Sequence, residues 1–203
     1  MYQVKISNIG GDNYNNISGT LGHSCMNDKK FFDIYTKNPD ICKLLILKID
    51  GKISARALLW KLDSIKIDGD RLVKFTESKP EFFLDRVYAI KDYQITKLRD
   101  YAHKEGWAMG ESNQGLSNDI MWKNFRYYPV IMSVKVKKLD YGDYPYLDTF
   151  RRYDHTTGHL WNDDYHSKGG HILSGTQGNY EKSISKRRIY IKRFKDKIFG
   201  SDD

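Results

Sequence analysis

Cysteine is scarce in this chain of 203 residues: Cys25 and Cys42 are its only two. That is too few for a disulfide scaffold or an all-cysteine zinc site, and both are expected as reduced thiols. No stretch reaches the ~18 consecutive apolar residues that a membrane-crossing helix needs. The start, M-Y-Q-V-K-I-S-N-I-G-G-D, lacks the apolar run of a secretory signal. A soluble, intracellular protein is therefore expected. Internal repeats and low-complexity tracts are missing too, which removes solenoid architectures.

What is present suffices for a core. The chain is 39% apolar and 14% aromatic, and tyrosine supplies 15 of its 28 aromatic residues. Such a core is amphipathic, with many phenol hydroxyls that need partners. The net charge of +8 is unevenly placed. Residues 182 to 197 carry five lysines, three arginines and one aspartate, a net +7, which leaves the rest of the chain near neutral. Length and charge together predict one α+β domain over 1–181 and a basic C-terminal extension over 182–203.

The stretch from Cys42 to Ile90 is the part that must fold. Leu44 to Ile49 is a nearly continuous apolar run, as in a strand covered on both faces. Asp50-Gly51 is a hairpin signal, and the return strand, Ile53 to Leu62, places Ile53, Ala55, Ala57 and Leu59 on one face with Ser54, Arg56, Leu58 and Trp60 on the other. A second, polar hairpin turning at Asp68-Gly69 is expected to project from the sheet. Phe82 to Ile90 then returns to the core.

Around this centre, M-Y-Q-V-K-I predicts an edge strand. Asn27 or Asp28 caps a short helix bearing Phe31, Phe32, Ile34 and Tyr35, which Pro39 stops. Asp92 is expected to cap a helix with Ile95, Leu98, Tyr101 and Ala102 inward, ended by Gly106. Residues 108 to 119 read as loop, and Val130 to Lys137 as a half-buried strand. Tyr144 to Trp161 reads as two strands with a turn near Gly158. The tail has alternating Ile189 and Ile191, so strand and helix both suit it. The sum is an α+β fold with a mainly antiparallel sheet and two principal helices.

Four constellations could carry chemistry. The order strand, hairpin return, strand, helix, strand resembles the acyl-CoA N-acetyltransferase fold, with F-L-D-R-V-Y-A-I as its central strand. That resemblance implies a glycine-rich loop holding a coenzyme pyrophosphate, but the junction here, I-K-D-Y-Q-I-T, has no glycine, so no cofactor is expected. Cys25 before a helix resembles the papain-like and transglutaminase-like nucleophile. The strand that should supply an imidazole offers Arg56 instead, which leaves Asp85 as carboxylate and a distant His171 as base. Asp154-His155, His159, Asn162, His166 and His171 resemble an HNH nuclease set, with too short a spacing from His155 to Asn162. H-E-x-x-H is absent, and no metal is expected. Arg56, Asp85 and Arg86 are charges inside apolar strands: they form either an ion pair between neighbouring strands or, with Cys25, a candidate cleft for an anion.

The pieces S-C-M at 24–26, N-P-D-I-C-K-L-L-I-L at 38–47, A-R-A-L-L-W at 55–60, F-L-D-R-V-Y at 83–88 and Y-P-Y-L-D-T-F-R-R-Y-D at 144–154 form a set. As a set they resemble a group of tailed-bacteriophage proteins without an assigned activity, over about residues 20 to 155. Those relatives usually carry S-C-M-R and G-R-A-L, where this chain has Ser24-Cys25-Met26-Asn27 and Ala55-Arg56-Ala57-Leu58. The resemblance implies a phage origin and a shared fold.

The functional expectation is a non-enzymatic accessory protein that binds nucleic acid or a nucleoprotein surface, or docks on another phage or host protein. The contacts would come from Lys182, Lys186, Arg187, Arg188, Lys192, Arg193 and Lys195, with Tyr190 and Phe194 for base stacking. The alternatives are a cysteine-dependent hydrolase or transferase using Cys25, and a structural or cargo component of the virion.

Overall fold

The computed structural model describes residues 2–9, 32–67, 78–113, 118–137, 144, 147–154 and 156–162, together with the backbone of 171 and 172. In chain order the elements are β1 (Tyr2–Asn8), α1 (Asp33–Thr36), β2 (Cys42–Ile49), β3 (Lys52–Lys61), β4 (Ser64–Ile67), β5 (Phe82–Ala89) and α2 (Asp92–Lys104). They continue with β6 (Ala108–Gly110), β7 (Ile120–Trp122), β8 (Phe125–Tyr127), β9 (Val130–Lys135), β10 (Arg152–Asp154), β11 (His159–Trp161) and β12 (His171–Ile172). This is an α+β fold with two mostly antiparallel sheets.

The first sheet has seven strands in the order β1-β2-β3-β5-β6-β7-β8. All its pairs are antiparallel except β5 with β6, which α2 connects as a parallel crossover. The Asp50-Gly51 turn joins β2 to β3 with φ of 49° and 77°. Positive φ at both central residues matches the right-handed twist of the two strands. The second sheet has the order β12-β10-β11-β9-β4.

Each face of the first sheet is covered. On one, Leu45, Leu47, Ala55, Ala57, Leu84 and Val87 meet Leu98 and Ala102 of α2. On the other, Leu44, Ile46, Leu58, Trp60 and Phe83 meet α1, the second sheet and the segment before β10 through Tyr35, Met132, Val134, Leu160 and Phe150. The near-continuous hydrophobicity of β2 follows from this double cover.

Several expectations need correcting. Strand β4 does not project from the first sheet. It pairs with β9, Ile65 opposite Met132, and so opens the second sheet. Residues 108 to 110 are not loop but β6, recruited by β5. Ile53 packs on the face of Leu58 and Trp60, because the register slips by one residue between Leu47 and Lys48 and leaves Ser54 as a bulge. β9 is buried on both faces, Ile131 and Ser133 included, and Ser133 bonds the Ser64 hydroxyl at 2.7 Å. The N-cap of α2 is Lys91, not Asp92. Gln94 reaches back, its Oε1 accepting the N–H groups of Lys91 at 2.9 Å and Ile90 at 3.1 Å. The tip of the second hairpin, the Asn27 or Asp28 cap and the whole of 173–203 lie outside the described residues.

Three asparagines complete what short strands leave open. A carboxamide offers one acceptor and two donors, so it can replace a strand's peptide group. Asn162 accepts the Met132 N–H at 2.7 Å and donates to the Val130 carbonyl at 2.9 Å. Asn113 does the same to both groups of Val87, each at 2.8 Å. Asn38 accepts from Lys137 N–H and donates to the Ile34 carbonyl, both at 2.7 Å. Asn162→Ala strands two backbone groups of β9, and urea unfolding should show a loss of about 1–3 kcal/mol. A loss within the error of the midpoint would mean that these bonds are replaceable by water.

Candidate functional site

The polar centre of the molecule lies between the two sheets, where β5 departs from regular alternation. Ala57 pairs with Val87 and Leu59 with Leu84, so two steps on β3 face three on β5. The surplus residue is a bulge at Asp85-Arg86. Leu84 and Val87 both face α2; between them Asp85 is turned to Trp60 and Thr149, and Arg86 is exposed. The Arg86 guanidinium lies over the Tyr88 ring at 5.2 Å.

Asp85 is buried at 6% exposure. Its Oδ1 accepts from the Thr149 hydroxyl at 2.6 Å and the Arg86 N–H at 2.9 Å, and its Oδ2 from Trp60 Nε1–H at 3.1 Å. Tyr88 donates its hydroxyl to Asp148. Residues 147–150 therefore strap across β5: Asp148 and Thr149 are bonded to it, and Phe150 packs edge-on against Trp60 and Phe83 at 5.5 and 5.8 Å.

Burial, and then the nearby Asp148 carboxylate, push Asp85 up to about 6 despite its three donors. Asp148 is raised as well, chiefly by burial, against the opposing pull of Tyr88, Arg86 and Arg151. Burial and the same carboxylate raise Tyr88, so it stays a phenol and a donor. Burial thus favours the protonated form of the two carboxyls, against donors that favour the ionised form.

The candidate residues separate. Arg56, Asp85 and Arg86 do share one face. Arg56, buried at 3% exposure, stands opposite Tyr88 rather than Asp85. The carboxylate goes to Thr149, Trp60 and a backbone N–H, so the simple cross-strand ion pair is not what the fold builds. Cys25 lies outside the described residues. Cys42, opposite Trp60 in register, is a buried thiol raised well above its ordinary value by desolvation and then by Asp85, the environment of an inert cysteine.

The histidines do not converge among the described residues. His159 Nε2 meets Asp63 Oδ2 at 3.0 Å, and Asn162 is occupied with β9. His155 and His166 lie outside the described residues, as does the side chain of His171. No group of three or more His, Cys, Asp or Glu side chains is arranged to hold a metal there, and no described helix is long and apolar enough to cross a membrane.

At the start of α2, the N–H groups of Ile90 and Lys91 go to Gln94, and Asn113 fills the opening beside Val87 where β5 and β6 part. The residues present do not fit a coenzyme diphosphate at this junction. No family model, curated protein or solved structure matches the chain.

Sequence reasoning found Arg56, Asp85 and Arg86 but missed Tyr88, Asp148 and Thr149. The available signal was D-R, two adjacent charges inside an alternating apolar strand, which is what a bulge permits.

The pH dependence follows with a definite sign. Unfolded, Asp85 titrates near ~3.9; folded, near 6. Between those values the native state keeps a proton that the unfolded chain releases, so this contribution to stability is largest below about pH 4 and declines as pH rises through 6. Asp85→Asn removes the titration. The stability difference between wild type and variant, from urea unfolding at pH 4 and pH 7, should shrink by about 2–3 kcal/mol at the higher pH. A constant difference would mean that Asp85 titrates as an ordinary carboxylate.

Proposed function

We propose that the protein is a phage-encoded accessory factor that binds nucleic acid, or a nucleoprotein surface, through its basic C-terminal segment. One observation carries this reading: seven of the eight net positive charges fall between Lys182 and Lys197. The charges of the rest of the chain nearly cancel, at a net +1. Those of the segment occur in a run too dense in like charge to be neutralised locally, so they favour a polyanionic partner.

Lys186, Arg187, Arg188, Lys192, Arg193 and Lys195 would contact phosphates. Tyr190 and Phe194, interleaved with them, offer faces for unpaired bases. The partner would be recognised mainly by charge, with little sequence preference.

Binding to a labelled oligonucleotide should weaken steeply with salt, with a log–log slope of about −5 to −6 if all the net charges engage phosphates. Deleting 182–203 should remove most of that slope. An affinity indifferent to the deletion, or to salt, would reject the proposal.

A further inference from the structure

The folded body has a second basic feature, where α1 and the start of β2 approach the end of β9. A cavity of about 300 Å³ opens there, rimmed by Lys37, Lys135 and Lys137, with Asp40 as the single acid. Its apolar surface comes from Pro39, Ile41 and Val136.

The walls are fastened rather than left to fluctuate. Asn38 accepts the Lys137 N–H at 2.7 Å and holds the Ile34 carbonyl at the same distance. Its own carbonyl accepts from Ile41 at 3.0 Å and Cys42 at 2.9 Å. Val136 N–H donates to the Gly158 carbonyl at 2.9 Å. Two segments almost a hundred residues apart are thereby locked into one concave surface.

Lys37 lies 3.5 Å from Asp33. Lys135 and Lys137, exposed and two apart in sequence, make no ion pair among the described residues. An apolar floor under a rim of lysines suits a ligand with a flat or aliphatic body and anionic ends. The volume is at the lower end for a small-ligand pocket, ~300 Å³. A volume of this order suits a small ligand and not a duplex.

We propose that this cavity takes a nucleotide unit of single-stranded nucleic acid, with Lys37, Lys135 and Lys137 on the flanking phosphates and Pro39, Ile41 and Val136 against the base or sugar. This rests on the nucleic-acid reading for its ligand class but on a separate surface for its contacts.

The test uses the full chain and a labelled oligothymidylate, with anisotropy read across a salt series. Lys135→Glu with Lys137→Glu should weaken binding about tenfold or more and make the salt slope shallower by about 1.4, the value of two single-strand phosphate contacts. The same charge change on α2, Lys97→Glu with Lys104→Glu, should do much less. Equal losses from both pairs, no loss from the first, or no binding by wild type at low salt would each overturn the inference. A third variant, with Lys186, Arg187 and Arg188 changed to glutamine, separates the two surfaces. If it binds normally while the Lys135/Lys137 variant does not, the tail reading fails and the cavity stands. The reverse pattern sinks the cavity alone. Equal thermal unfolding midpoints across the variants establish that the fold is intact.

Discussion

A carboxylate with no water around it has to be given donors, and the placement of Asp85 sets much of the surrounding architecture. Three donors reach it from three directions: an indole on β3, the hydroxyl of Thr149, and the N–H that follows it in β5. Each requirement fixes a piece of chain. Trp60 must point at the second sheet, residues 147–150 must cross the first, and β5 must bulge so that Asp85 and Arg86 share a side. Removing one donor leaves a buried charge poorly compensated, a larger loss than an ordinary hydrogen bond represents. Phe150 follows Thr149 into the aromatic cluster, so the polar tie and the apolar packing between the sheets are laid down by neighbouring residues.

How much of this was legible depends on whether a signal is local. The β2–β3 hairpin was, because Asp50-Gly51 meets the turn's demand for positive φ and the flanking strands are apolar. Helix α2 was, because Leu98 and Ala102 recur at helical spacing and Gly106 (φ +73°) supplies the left-handed exit. The same is true of the turn at Gly158, where φ is +74°. What was not legible is what neighbours impose. Strand β6 is three residues long and exists because β5 offers it an edge. The switch of β4 into the second sheet is decided by β9, more than sixty residues away. Bulges at Ser54 and at Asp85-Arg86 shift the alternation that a sequence reading assumes to be unbroken.

The candidate site shows the same division. A-R-A-L-L-W, F-L-D-R-V-Y and L-D-T-F were each visible as unusual segments, and the fold brings all three together. Charge inside an apolar strand was enough to pick out Arg56, Asp85 and Arg86. Nothing local distinguishes Thr149 from any other threonine, since its role is defined by an acceptor 64 residues away in sequence. The asparagine ties are equally invisible. Asn113 lies 26 residues from the Val87 peptide it completes, and asparagine in a polar stretch reads first as a turn former.

Two uses of charge are therefore separated along this chain. Inside, Asp85 and Asp148 are desolvated, and their bonds to Trp60, Thr149 and Tyr88 hold the strap against β5. Such groups are costly to redirect toward a ligand, because every bond made outward is one broken inward. Lys135 and Lys137 are of the other kind, exposed and without an ion pair among the described residues, and the run from Lys182 to Lys197 is unusually basic in sequence. Counterions gather on such a run and are released when a polyanion replaces them, which drives association without demanding a shaped pocket. The buried cluster shapes the contact between the two sheets, and the concentration of positive charge in the sequence is what motivates the partner we propose.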